Sequence, residues 1–275
     1  HSVPRALPTE VRDQLVAALA SGLRTGWWKA SFTSVAGQWM ASFRGANGFP
    51  GVSSLATPTT TGRALDRTSS GAMPIPAASA GKSIYLAKVS MNGSLAGTVQ
   101  FADRLVEWGG LSGTVTTAQS LSAVSLPARA GTGVGVEIWL DWYTATGSTA
   151  SASVTASYTN SDGTSGRTAT LVGGTPASVP ANRCYRLALQ GGDVGVQSVQ
   201  SVTLGTSTGT AGNFGVTLRE SIDAFQMTSA NIGGTWGYAE TGLPVIPDDA
   251  CVEMLMNSTS TGTGNIFGSI VFIQG

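Results

Sequence analysis

The chain has 275 residues, and its 15 basic and 15 acidic side chains give a formal charge of zero. Charged residues make up 11% of the chain, against about 25% in an average domain, and 37 residues are glycine. This composition excludes a coiled coil, a Lys/Glu-rich helical bundle and a strongly basic nucleic-acid coat. It does not indicate disorder, because 41% of the residues are hydrophobic.

The N-terminal residues predict one short helix, from Thr9 to about Leu23. Thr9 is a suitable N-cap, and Val11, Leu15, Leu19 and Leu23 recur every four residues as an apolar stripe. No other segment of the chain shows a comparable helical period.

Residues 27–50 are rich in aromatic side chains. The first 50 residues carry five basic and two acidic side chains, a local charge of +3. We predict that residues 1–50 form the helix and an extended arm that attaches to another protein, because clustered rings anchor protein interfaces. Single-stranded nucleic acid is a less favoured partner, since the positive charges are few. The predicted partner-binding residues are Trp27, Trp28, Phe32, Trp39, Phe43 and Phe49.

The rest of the chain predicts an extended connector and then an all-β domain. Residues 51–81 are rich in Thr, Ser and Pro, as in a connecting segment. In residues 82–275 apolar positions alternate, as from Val134 to Tyr143, and turn residues recur every 8 to 12 positions or so. Residues 154–171 form a hairpin around Asn160–Gly163. The predicted fold is a β-sandwich, similar to a jelly roll.

The residues that catalysis most often needs are scarce. His1 is the only histidine, so neither a His-based triad nor a two-histidine metal site is expected. Gly205–Gly209 matches the G-x-S-x-G pattern by chance, because neither a strand-to-helix setting nor a downstream histidine accompanies it. We therefore predict no catalytic residue, no metal and no cofactor, and a protein that is not an enzyme.

Paired acids keep a glycosidase open as an alternative, since that chemistry needs only two carboxyl groups. Glu137 and Asp141 lie on one strand face with Trp139 and Tyr143, where a sugar ring could stack. The favoured explanation of such a face is the wet side of an edge strand or a face buried against a neighbouring subunit. The other acid pairs are Asp103 with Glu107, Glu220 with Asp223, and Asp248 with Asp249.

Cys184 and Cys251 are expected to be half-buried thiols, and the alternative is a disulfide between them. No stretch of 18 apolar residues predicts a membrane span, and the N-terminus lacks the pattern of a secretory signal. We therefore expect synthesis in a cytoplasm, without export.

Three segments resemble a group of structural proteins from tailed bacteriophages. They are Asp103–Gln119, with the sequence DRLVEWGGLSGTVTTAQ, Tyr158–Arg167, with YTNSDGTSGR, and Leu189–Val196, with LQGGDVGV. The resemblance covers about residues 82–275 and carries no catalytic signature.

This resemblance implies a subunit of the virion, assembled in the cytoplasm of a host bacterium. The expected role is decoration or cementing of the head through contacts with the major capsid protein or other virion proteins, with self-association as a trimer. The alternatives are a tail or neck component, or a glycan-binding module of a tail fibre that stacks sugars on Trp139, Tyr143 or Trp236.

Overall fold

A computed structural model describes residues 16–20, 22–45, 47–51, 59–209 and 212–275. Strands dominate it, which confirms the all-β prediction. Residues 16–20 are helical, two further short helices are α1 (Ser42–Gly45) and α2 (Tyr238–Thr241), and Ala128–Ala130 form a 3₁₀ turn. The strands are β1 (Leu23–Ser34), β2 (Trp39–Ala41), β3 (Asn47–Phe49), β4 (Arg63–Ala64), β5 (Ile84–Gly93), β6 (Gly97–Ser112), β7 (Gln119–Ser120), β8 (Val136–Trp142), β9 (Val154–Asn160), β10 (Arg167–Leu171), β11 (Arg183–Arg186), β12 (Val196–Leu204), β13 (Asn213–Met227), β14 (Gly234–Trp236), β15 (Val245–Ile246), β16 (Val252–Ser258) and β17 (Gly262–Gln274).

The centre of the fold is a small closed barrel. Its strands follow the order β13-β8-β11-β2-β16-β6, and β6 also pairs with β13, so that the ring has no open edge. All of these pairings are antiparallel. β4 pairs with β6 at Val106 and Glu107, beyond the stretch of β6 that pairs with β16.

Two further sheets cover the outside of the barrel. A four-stranded sheet in the order β10-β9-β12-β7 packs on β6, β8 and β13 through a core that includes Tyr158, Trp108 and Trp142. A six-stranded sheet in the order β14-β5-β17-β1-β3, with β15 beside β5, packs on β6, β13 and β16 through a second core. Phe101 and Met254 belong to this second core. The coarse prediction of packed β-sheets is confirmed, and the barrel between them was not predicted.

The N-terminal region belongs to this fold. β1 pairs with β17 over most of its length and with β3 on its other side. The described part of the predicted arm therefore supplies β1 and β3 to the six-stranded sheet and β2 to the barrel. Residues 16–20 are helical, as predicted, but Leu23 begins β1 and does not end the helix. Residues 9–15 of the predicted helix lie outside the described residues.

The predicted connector packs against the fold where the structure describes it. Of residues 51–81, positions 52–58 lie outside the description, while Leu65, Met73 and Ile75 are buried. Met73 and Ile75 belong to the core beneath the six-stranded sheet. The hairpin is confirmed as β9 and β10, with Asn160 Oδ1 accepting hydrogen bonds from the amides of Asp162 and Thr164. In the part of the chain that the structure describes, none of the helices has the length and apolar character that a membrane crossing requires.

Candidate functional site

The predicted partner-binding residues divide between the core and the surface. Trp27 is 2% exposed and Phe32 is fully buried, and both belong to the core beneath the six-stranded sheet. Trp39 is half-buried and packs edge-to-face on Trp139, with 5.8 Å between the ring centroids. These three rings stabilise the fold itself, which corrects their expected role in an exposed arm. Trp28 and Phe49 are exposed, whereas the side chain of Phe43 lies outside the description.

Three exposed rings form a row on the outer face of the six-stranded sheet. Trp28 on β1 lies opposite Phe49 on β3 and opposite Phe267 on β17. Residues directly opposite on paired strands point to the same face of the sheet, so the three side chains are neighbours. Their exposed fractions are 52% for Trp28, 49% for Phe267 and 44% for Phe49. We call this set the aromatic row. Phe267 was not predicted, because nothing in its local sequence shows that β17 pairs with β1.

A glycine allows the aromatic row to extend onto β3. Gly48 has a φ of 131°, in the region that favours glycine, and a Cβ there would lie 2.0 Å from the carbonyl oxygen of Trp28. Any side chain at this position would push β3 away from β1. Gly48 therefore keeps Phe49 beside Trp28.

The charged residues on the strands of this sheet are all basic. None of the six strands β1, β3, β5, β14, β15 and β17 contains an acidic residue. Arg24 and Lys88 are exposed, whereas Lys29 is buried and donates a hydrogen bond to the carbonyl oxygen of Pro50. Burial lowers the pKa of Lys29 to about 8. The outer face is thus apolar in its centre and weakly positive around it.

The barrel interior holds a cluster of buried charges. Arg219 on β13 contacts Asp141 on β8, with Nη2 3.0 Å from Oδ1, and its Nε donates a hydrogen bond to Glu253 on β16. β13 and β16 are separated by β6, so this contact crosses the inside of the ring. We call the set the interior ion cluster, and its members are Arg104, Glu107, Asp141, Arg219 and Glu253, all buried.

In this cluster, burial and ion pairing shift the pKa values in opposite directions. Burial raises the pKa of Glu253, and Arg219 and Arg104 oppose that shift. Burial alone would lower the pKa of Arg219, but Asp141 and Glu253 hold it above its usual value. The charges are therefore mutually neutralised within the fold.

Arginines from outside the ring complete the neutralisation. Glu107 accepts hydrogen bonds from Arg44 on α1, at 2.9 Å, and from Nε of Arg63 on β4, at 2.7 Å. The guanidinium of Arg44 also lies over the ring of Tyr143, with Cζ 4.1 Å from the centroid. This arrangement ties β4 and α1 to the barrel.

The predicted pair Glu137 and Asp141 does not form an open two-carboxylate site. Asp141 faces the barrel interior, and Glu137 accepts a hydrogen bond from Nε1 of the buried Trp139 and contacts Arg186. Asp141 and Trp139 of this face are enclosed by the barrel, whereas Glu137 and Tyr143 are half-buried. Asp103 pairs across strands with Glu220 and is held by Arg129.

The predicted sugar platforms are engaged within the protein as well. Trp139 is buried, and the hydroxyl of Tyr143 donates to the carbonyl oxygen of Trp108 at 2.7 Å. Trp236 is half-buried and packs on Phe225, with ring centroids 5.2 Å apart. The prediction that a sugar stacks on Trp139 is therefore wrong.

Cys184 and Cys251 are buried free thiols, so neither forms a disulfide. Burial raises both pKa values, that of Cys251 to about 11. Within the described ranges, no group of three or more His, Cys, Asp or Glu side chains is arranged to hold a metal ion.

Comparisons with known proteins identify no family. No family model matches the chain, and no curated protein matches it. A solved structure described as "Structure of infectious bursal disease virus Gx strain" aligns at 11% identity with a TM-score of 0.16. The alignment covers 100% of this chain and 64% of that one, so this chain spans less than two thirds of the matched chain.

Proposed function

We propose that the protein is a structural subunit of a bacteriophage virion that joins neighbouring subunits through the aromatic row. The aromatic row carries the proposal, because three rings that are each about half exposed on adjacent strands are costly to leave in water. Tryptophan and other large rings near the centre of an interface commonly supply most of its binding energy.

The charges of the described fold support an assembly role. Its buried acids are paired with arginines of the same chain, from the barrel strands and from the segments around them, so these ion pairs cross-link the scaffold. The six-stranded sheet offers a partner an apolar centre with Arg24 and Lys88 nearby and no acidic residue on its strands. A neighbouring surface with apolar side chains and an acidic rim would complement it.

The resemblance of three segments to tailed-phage structural proteins supports the choice of a virion. Within this proposal the subunit decorates or cements the head, self-associates as a trimer and has a jelly-roll-like β domain. A tail or neck location is the alternative within the same class. Electron microscopy of particles carrying a tag at Gly275 would separate the two, because it shows whether copies coat the head or the tail.

The contact itself is tested by sedimentation velocity over a range of protein concentrations. We expect the wild type to self-associate and Trp28→Ser or Phe49→Ser to weaken association by about 2 kcal/mol, roughly 30-fold in Kd. Deleting residues 1–50 would not be a clean test, because it removes β1 and β3 from the six-stranded sheet and β2 from the barrel.

Tyr238→Ser supplies the matched control. Tyr238 is 45% exposed but lies on α2, outside the aromatic row. It should leave association unchanged. A wild type that stays monomeric at every concentration, or an oligomer that survives Trp28→Ser, would overturn the proposed contact.

A further inference from the structure

A pocket lies on the six-stranded sheet at the end of the aromatic row. It has a volume of about 580 Å³ and opens widely to solvent beside Phe267. That volume falls in the range of small-molecule sites. Its residues come from β1, β5, β14 and β17 and from the turn before β14.

The polar groups of the pocket are neutral and lie on one face. Ser90 lies opposite Ser269 on β17 and opposite Thr235 on β14, and Asn92 lies opposite Phe267. These pairings place three hydroxyl groups, one amide and one half-exposed ring side by side. The hydroxyls of Ser90 and Thr235 are 3.1 Å apart. No residue lining the pocket is charged.

One further donor lies beneath this face. Trp27 also lines the pocket, and its buried Nε1–H has no hydrogen-bond partner among the described residues. Gly268 separates the ring from the pocket without a side chain, since a Cβ there would lie 2.8 Å from the ring of Trp27. The backbone of β17 at Gly268 therefore lies between this donor and the polar groups of the outer face.

We propose that this pocket binds a neutral saccharide unit, with Phe267 as the stacking ring and Ser90, Asn92, Thr235 and Ser269 as hydrogen-bonding groups. A sugar ring has an apolar face for the aromatic ring and hydroxyls that both donate and accept, which matches serine, threonine and asparagine. A phosphate or a carboxylate would find no cation among the lining residues, and an apolar ligand would leave the hydroxyls and the amide without partners. The inference goes beyond the proposed function, because assembly needs no saccharide.

The test is a screen of the purified protein on an array of neutral and charged glycans, followed by calorimetric titration with the neutral oligosaccharide that gives the highest signal. We expect neutral glycans to bind and charged ones not to be preferred. Thr235→Val keeps the side-chain shape on an exposed edge strand and removes the hydroxyl, and Phe267→Ala removes the ring. Each should weaken binding by about tenfold.

Two control variants separate this site from the assembly contact. Val172→Ser changes a residue that is 82% exposed and lies just beyond β10, so it should leave saccharide affinity unchanged. Phe49→Ser should weaken self-association and keep the saccharide affinity, and titrating it also prevents a neighbouring subunit from hiding the pocket.

The possible results decide the inference without deciding the assembly proposal. Neutral binding that is lost in Thr235→Val and Phe267→Ala supports it, whatever sedimentation shows for Phe49→Ser. The inference is overturned if no neutral glycan binds at millimolar concentration, if charged glycans are preferred, or if binding survives both substitutions.

Discussion

Replacing Arg219 by methionine tests whether the interior ion cluster holds the barrel together. The guanidinium contacts Asp141 and Glu253 and lies over the ring of Trp139, with Cζ 5.5 Å from the centroid. Methionine fills a similar unbranched volume but leaves two buried carboxylates without this cation. We expect Arg219→Met to lower the free energy of unfolding by about 3–5 kcal/mol, the usual cost of breaking a buried pair on one side.

The loss converts into a measurable shift in Tm. A chain of 275 residues has an unfolding entropy of about 0.6 kcal/mol/K, so a loss of about 4 kcal/mol lowers Tm by about 7 °C. Differential scanning calorimetry measures this directly. Arg186→Met is the matched control, because the Arg186 side chain is 62% exposed in its pair with Glu137 and should contribute less than about 1 kcal/mol.

The pH dependence gives the same prediction a second readout. In the folded protein the pKa of Glu253 is raised above its ordinary value of 4.5 by burial, and losing Arg219 raises it further. A group with a raised folded pKa favours the folded state most at low pH, and stability falls as pH rises through that pKa. The deficit of Arg219→Met should therefore be smaller at pH 5 than at pH 8.

Removing both charges should restore part of the stability. The double variant Arg219→Met, Glu253→Met leaves Asp141, which still accepts a hydrogen bond from the hydroxyl of Thr217. We expect it to be more stable than Arg219→Met alone. A loss for Arg219→Met no greater than that for Arg186→Met would refute the reasoning, since it would mean that the cluster contributes no more than a surface pair.

Two further predictions concern the backbone and a polar cluster of the four-stranded sheet. Gly48→Ala should destabilise the fold and weaken self-association, because the added Cβ displaces β3. The control is Gly37→Ala, at a φ of 72° with nothing within 4 Å of its Cβ, which should lower the free energy of unfolding by only about 1 kcal/mol. Urea unfolding measures the stability of both variants, and sedimentation velocity measures their self-association. Asp193 accepts hydrogen bonds from Arg167 and Tyr158, which hold the pKa of its carboxyl well below its usual 3.8. Asp193→Asn should therefore lower the urea midpoint at pH 7, and the gap to the wild type should narrow as pH falls below about 4; a gap that is constant with pH would contradict the ion pair.

The sequence predicted the parts of the fold that depend on local pattern. The turn chemistry at Asn160 and the alternation around it predicted β9 and β10, because a hairpin needs only neighbouring residues. The closure of the barrel depends on β13 pairing with both β6 and β8, which are distant along the chain, and no local period encodes that choice.

The candidate site was predicted only in part for the same reason. The prediction took Trp27 and Trp28 together as partner-binding residues. Adjacent residues in a strand point to opposite faces, and that rule would have separated the buried ring of Trp27 from the exposed ring of Trp28. Phe267 and Ser90 join the site through the pairing of β17 with β1 and β5, so only the tertiary structure brings them together. Similarly, Arg219 and Glu253 give no sign in the sequence that they face the inside of a barrel.

The pairing of β1 with β17 has a consequence for synthesis and folding. The hydroxyl of Ser34 donates to the carbonyl oxygen of Gly262, which lies 228 residues later in the chain. β1 therefore leaves the ribosome long before its partner exists, with Trp27, Trp28 and Phe32 unshielded, and loop closure over such a distance is slow. During that interval a nascent chain with an unsatisfied apolar strand is prone to misassociate, so its yield should depend on chaperones and on low expression temperature.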